Sequence, residues 1–169
     1  MQRITLFHIT FFISIIAIVG CYSKKVMENN EDKLMGMWKL EVMELFDEET
    51  NTYKPWKDGM SGYLLYEPTG YMSLHLTTKG YPTTGMKFKN FTDTLSLDKL
   101  KYLTQNYNYM GTYGLDIENQ IVTHTKLSHS NPNEWGGLSV RAYQFIGDTL
   151  VIKPTESENA GLRLKLLKI

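Results

Sequence analysis

Cysteine is nearly absent from this chain, with one residue in 169. A single Cys forms no intramolecular disulfide, so a stapled secreted scaffold is excluded, and CxxC redox sites and multi-Cys zinc sites go with it. Excess charge of either sign is also missing, since 18 Lys+Arg balance 18 Asp+Glu. Nucleic-acid binders carry a basic excess, so no nucleic-acid partner is expected. Beyond Val19 there is no long apolar run, and the mean hydropathy of −0.30 excludes a polytopic membrane protein. What the chain does have is aromatic. Its 11 Tyr, 7 Phe and 3 Trp suit a β-rich protein or an aromatic-lined pocket. The length argues for one domain able to bury a core of its own.

The N-terminus accounts for the one Cys. Ile4 to Val19 is apolar apart from Thr5, His8, Thr10 and Ser14, with Arg3 before it and Gly20-Cys21 after it. A basic start, an apolar stretch and a small residue at the cut are the parts of a secretory signal. Ile18-Val19-Gly20-Cys21 resembles the bacterial lipobox, in which the Cys becomes the first mature residue and carries the lipid. The alternative is an ordinary signal peptide or a single membrane anchor with a chance Cys. The run is somewhat short for a spanning helix of about 20 residues, and a Cys at its end and nowhere else favours the lipoprotein. Tyr22 to Lys33 is polar, charged and without apolar period, as a flexible tether would be. The expected organisation is a signal over 1–20, a tether over 21–33 and one domain over 34–169. The expected location is the bacterial cell envelope, with the membrane as partner through lipid on Cys21.

From Gly36 onward, short β-prone runs alternate with turn chemistry. Met37 to Phe46 alternates loosely, with Trp38, Leu40, Val42 and Phe46 on one face. Tyr63 to Tyr66 and Tyr71 to Thr77 flank Glu67-Pro68-Thr69-Gly70, a turn with Pro at its second position. Tyr109 to Ile117 and Gln120 to Ser130 flank Glu118-Asn119, while Leu138 to Ile146 and Thr149 to Lys153 flank Gly147-Asp148. Leu162 to Ile169 alternates again. These runs predict eight antiparallel strands, enough to close a barrel and leave room for side chains or one small ligand. Ser96 to Asn106 predicts one short helix, with Ser96 as N-cap and Leu97, Leu100 and Leu103 at helical spacing. Lys79 to Asp93 shows no period and reads as a long loop across one mouth. The fold class is therefore all-β, an eight-stranded antiparallel up-and-down barrel with one helix.

Gly36-Met37-Trp38 looks like the G-x-W signature of lipocalins, and more of the chain resembles the bacterial and fungal lipocalin-like domain family. The segments that carry the resemblance are GMWKLEVMEL (36–45), GYLLYEPTGYMSLHL (62–76), YMGTYGLDIENQIVTHTKLSHSNPNEWGG (109–137) and LSVRAYQFIGDTLVI (138–152). The resemblance implies a lipocalin-like calyx with one open end and a helix beside it. It also implies that Arg141, on a late strand, packs over Trp38 and closes the barrel, a cation–indole contact of about 0.5–2 kcal/mol. Two departures stand out. The family often has two adjacent His in the V-x-H strand, and here the second position is Thr125. The closing RLKLLKI lacks the aromatic that often precedes the last Arg. An activity that needs both His is not carried over.

Candidate site residues follow from residue type and strand position. Tyr66, Tyr71 and Tyr113 offer apolar area with one hydroxyl, which suits a mostly apolar ligand that must be oriented. His124 falls mid-strand, either as a ligand-facing hydrogen-bonder or base or as a structural His bonded to a Tyr. Arg141 shares a face with Tyr143 and Phe145, so it either closes the barrel or neutralises a ligand carboxylate. His129 reads as surface or loop, and Trp135 either caps the mouth or shields its loop. The spacing of His75, His124 and His129 gathers no metal site, so neither metal nor cofactor is expected. No nucleophile elbow or phosphate loop is present. The leading expectation is a lipid-anchored barrel binding a small, mostly apolar molecule. The alternatives are a barrel isomerase or cyclase using His124 and Arg141, and a non-catalytic envelope interaction module. Oligomeric state is not legible in one chain.

Overall fold

A computed structural model describes residues 31–85, 94 and 96–169, apart from the side chains of 101–103. The expected signal, Cys21, most of the tether and residues 86–93 of the long loop lie outside the described residues. The chain divides into two units, Met1–Leu34 and Met35–Ile169. Of the first, residues 31–34 are described and are helical; 31–33 fall in the expected flexible tether and 34 in the expected domain.

The second unit contains nine strands: β1 (Gly36–Asp47), β2 (Thr52–Pro55), β3 (Met60–Tyr66), β4 (Tyr71–Thr78), β5 (Tyr107–Asp116), β6 (Ile121–His129), β7 (Leu138–Ile146), β8 (Thr149–Pro154) and β9 (Leu162–Lys168). Helix α1 (Leu97–Thr104) lies between β4 and β5. Strands β1 and β3 to β9 pair antiparallel in chain order, and β9 returns to β1, so eight strands close into a barrel. Closure removes the unpaired edges that an open sheet would expose. The ninth strand, β2, folds back on the end of β1 with Asp47 opposite Thr52. Its four residues (TYKP) are mostly exposed, show no apolar alternation and end at a proline. No strand period announces it.

The turns form where their chemistry places them. Gly70 donates its amide to the Glu67 carbonyl at 3.0 Å and has φ of 91°. Glycine reaches that backbone region without the steric cost other residues meet. The Asn119 amide donates to the Asp116 side chain at 3.1 Å, closing the β5–β6 turn. Short turns therefore sit at one end of the barrel, and the longer connections, including α1, sit at the other.

Alternation decides which side chains enter the barrel. Leu64 and Tyr66 on β3, Met72, Leu74 and Leu76 on β4, and Leu150 and Ile152 on β8 are all buried. Strand β1 departs from the expected pattern. The β1–β9 register shifts between Leu40 and Val42, so Met43, opposite Leu164, is buried where Val42 was expected. A bulge of this kind inserts one residue and changes the face on which the rest of the strand packs. Helix α1 forms as predicted, with Leu97 and Leu100 exposed. Towards the short-turn end, Trp38 packs against Phe145 at 6.0 Å between ring centroids. Leu150 and Leu166 are fully buried. Each such side chain stabilises the fold by about 1.5–3 kcal/mol relative to exposure.

Candidate functional site

The middle of the barrel is polar. His124 is in the centre of β6, with Val122 and Lys126 buried on the same face. Both ring nitrogens of His124 are engaged. Nε2 lies 2.8 Å from the Tyr66 hydroxyl, and Nδ1 lies 2.7 Å from the Tyr109 hydroxyl. Burial, aided by the nearby Arg141 and Lys126 cations, pushes His124 down to about 3, so the ring is neutral near neutral pH. A neutral imidazole carries one N–H, so one tyrosine donates to the ring and the other accepts from it. Burial raises both tyrosines above their ordinary range, so both stay phenols.

Tyr113 lies beside this set. Its ring meets Tyr66 edge-on at 4.9 Å, and its hydroxyl donates to the Glu67 carbonyl at 3.0 Å. That bond ties the site to the β3–β4 turn. Tyr71 does not join the interior. Met72, Leu74 and Leu76 occupy the inward positions of β4, so Tyr71, Ser73 and His75 fall on the outer face, and Tyr71 is 54% exposed. The apolar alternation of β4 carries the signal for this, because three consecutive even positions are Met or Leu.

Arg141 enters the barrel from β7, on the same face as Ser139 and Tyr143. It does not stack on Trp38. Lys168 lies over that indole instead, with Nζ 5.5 Å from the ring. Register explains the exchange, because Lys168 is the direct cross-strand partner of Trp38, whereas Arg141 pairs beside Val122. The Arg141 Nη1 donates to both carboxylate oxygens of Glu156, at 2.5 and 2.6 Å, and to the Val140 carbonyl at 2.9 Å. Hydrogen bonds to Arg141 hold Glu156 below the usual carboxylate range against the opposing effect of burial.

A second buried cation lies alongside. The Lys126 ammonium pairs with Glu134 and sits 5.7 Å over the Tyr109 ring. His129, expected at the surface, is also buried and stacks on Tyr109 at 5.5 Å. Its Nδ1 accepts from the Asn131 amide at 2.8 Å, so Nε2 holds the ring proton when His129 is neutral. Trp135 is exposed and donates its indole N–H to the His129 carbonyl at 2.7 Å, anchoring its own loop. Lys126 was legible in principle, being two residues beyond His124 on the same face. Glu134 and Glu156 were not, because both arrive from the connections after β6 and β8. Among the described residues, no three His, Cys, Asp or Glu side chains gather as a metal site.

Chemically, this interior can hold and orient a polar group. His124 has no free lone pair to take a substrate proton until one tyrosine lets go. At the long-connection end, a depression of about 540 Å³ is lined by Trp56, Lys57, Met60, Thr78, Lys79 and Gln105.

Fold and interior together define a closed antiparallel barrel with an apolar floor and a polar middle. The sequence matches the lipocalin-like domain family over residues 35–164, and the chain belongs to that family. Solved structures with similarity include a lipocalin-like protein from Bacteroides uniformis, at 12% identity over 81% of this chain and 99% of that one, with a TM-score of 0.43. An uncharacterized protein from Bacteroides eggerthii matches at 10% identity over 80% and 98%, with a TM-score of 0.40. A mutant of the fluorescent protein UnaG matches at 14% identity over 82% and 97%, with a TM-score of 0.39. A comparison with curated proteins finds no match.

Proposed function

We propose that this chain is a lipid-anchored lipocalin-like protein that binds a small, mostly apolar molecule inside its barrel. One observation carries the reading: the Tyr66–His124–Tyr109 set at the polar middle of a barrel whose floor is apolar. Buried polar groups weaken a core unless they are fully bonded, and an all-apolar core would be at least as stable. A barrel that keeps hydroxyls, an imidazole and two cations at its middle has polar contacts to offer a ligand. Aromatic hydroxyls above an apolar floor suit a molecule with an apolar body and a polar end.

The test is native mass spectrometry of the purified protein, together with titration of a fluorescent apolar probe. A retained small molecule, or probe binding weakened by Tyr66→Phe and His124→Leu, supports the reading. No retained molecule and no probe binding overturns it. The anchor is tested separately by labelling cells with a palmitate analogue. Label should enter the wild type and disappear with Cys21→Ala, and an unlabelled wild type rejects the anchor.

A further inference from the structure

We infer that the molecule held in the barrel carries a carboxylate, bound by the open edge of Arg141. This inference rests on the small-molecule binding proposed above and names the class of ligand. Arg141 stands on a barrel strand, and only 13% of its side chain is exposed. A guanidinium has five N–H donors in a planar fork matched to a carboxylate. All three hydrogen bonds of Arg141 leave from Nη1, two of them to the same carboxylate. The Nε–H and the two N–H groups of Nη2 meet no hydrogen-bond partner among the described residues. That leaves the side of the fork that best donates two parallel bonds available to a ligand.

Three polar side chains of the interior are committed elsewhere. His124 is committed through both nitrogens, Lys126 is a cation already paired with Glu134, and Tyr113 donates to a backbone carbonyl. Glu156 is the exchangeable partner. It comes from the β8–β9 connection rather than from a strand, and 41% of its side chain is exposed. Adding a third carboxylate beside two cations and two carboxylates would leave the interior one negative charge in excess. Release of Glu156 to water as the ligand arrives keeps the charges balanced. Glu156 on Nη1 therefore balances the charge of Arg141 when the barrel is empty, and it competes with the ligand carboxylate for that charge and not for the open edge.

The experiment titrates the full chain with dansyl-labelled undecanoic acid and, separately, with its methyl ester, which has the same apolar body and no charge. The wild type should bind the acid at least about tenfold more tightly than the ester, a difference of about 1.4 kcal/mol. Arg141→Gln should bring the two affinities within about twofold, and Glu156→Gln should tighten the acid about three- to tenfold while leaving the ester unchanged. Equal binding of acid and ester by the wild type overturns the carboxylate inference and leaves small-molecule binding standing. Binding of neither probe overturns both. Weaker acid binding in Glu156→Gln overturns the competition between Glu156 and the ligand. If Arg141→Gln does not fold, the acid-to-ester ratio of the wild type and the Glu156→Gln titration decide the question.

Discussion

The hydroxyl of Tyr66 lies 2.8 Å from Nε2 of His124 and joins β3 to β6 through the barrel interior, across 58 residues of chain. Tyr109 holds the other ring nitrogen at 2.7 Å, so neither nitrogen of the imidazole is left for water. Removing one hydroxyl strands a buried nitrogen, which costs more than the bond itself contributes. Tyr66→Phe and Tyr109→Phe should each destabilise the protein by about 1–3 kcal/mol in urea unfolding. Combining Tyr66→Phe with His124→Leu should cost less than the sum of the two single changes, since the stranded group is then gone. Strict additivity in that cycle would mean the bond does not persist in solution.

The same burial makes stability depend on pH. His124 is held at about 3 against an ordinary value of 6.5, so between those values the unfolded chain binds a proton that the folded chain refuses. Stability is therefore fully present above 6.5 and falls as pH drops towards 3, by up to about 1.4 kcal/mol per pH unit from this residue. His129 is lowered as well, by burial first and then by Lys126, and acts in the same direction. The carboxylates Glu44, Glu134 and Glu156 are lowered from 4.5 and add their loss only under more acid conditions. Urea midpoints measured from about pH 7.5 down to about pH 5 isolate the histidines. His124→Leu should flatten most of that slope, and an unchanged slope would show that His124 protonates freely in the folded state.

Much of the barrel was legible in sequence because each strand carries its own evidence. Glu67-Pro68-Thr69-Gly70 and Gly147-Asp148 mark reversals, and the runs beside them alternate. Strand β2 escaped because four exposed residues bury nothing and so need no period. The face of β1 escaped because the bulge after Leu40 changes which residues are buried without leaving a mark in residue type. The site was half legible. Tyr66, Tyr113, His124 and Arg141 stand on strands whose alternation points them inward. Tyr71 was misplaced although Met72, Leu74 and Leu76 already occupied the inner face of its strand. The counter-ions Glu134 and Glu156 reach Lys126 and Arg141 only once the loops close in three dimensions, and nothing in linear spacing reports that.

Lys168, rather than Arg141, supplies the cation over Trp38, and spectroscopy separates the two. In a Trp56→Phe, Trp135→Phe background Trp38 is the one remaining indole of the three. Lys168→Met should alter its near-ultraviolet circular dichroism and cost about 0.5–1 kcal/mol, as expected for an exposed cation on an aromatic face. Arg141→Gln should leave the Trp38 spectrum unchanged. The opposite pattern would restore Arg141 to the closed end of the barrel.

Gly111 tests the register that brings the polar residues together. A Cβ there would lie 1.9 Å from the Thr125 carbonyl oxygen and 3.1 Å from the Leu127 amide nitrogen, both backbone atoms that cannot rotate away. The pairing of β5 with β6 shifts between Met110 and Gly111, placing Gly111 opposite Lys126 and Tyr109 opposite His129. That shift lets Lys126 and His129, an odd number of residues apart, both be buried. Gly111→Ala should therefore cost about 2–4 kcal/mol, since the two strands must separate or slip to admit the methyl group. Gly114 lies on the same strand with open space around it, and Gly114→Ala should stay within about 0.5 kcal/mol of wild type. Equal costs at the two positions in urea unfolding would mean that β5 loses stability through its glycines alone and not through the close approach of β6. A large cost confined to Gly111 identifies the bulge as the feature that lets His129 be buried along with Lys126.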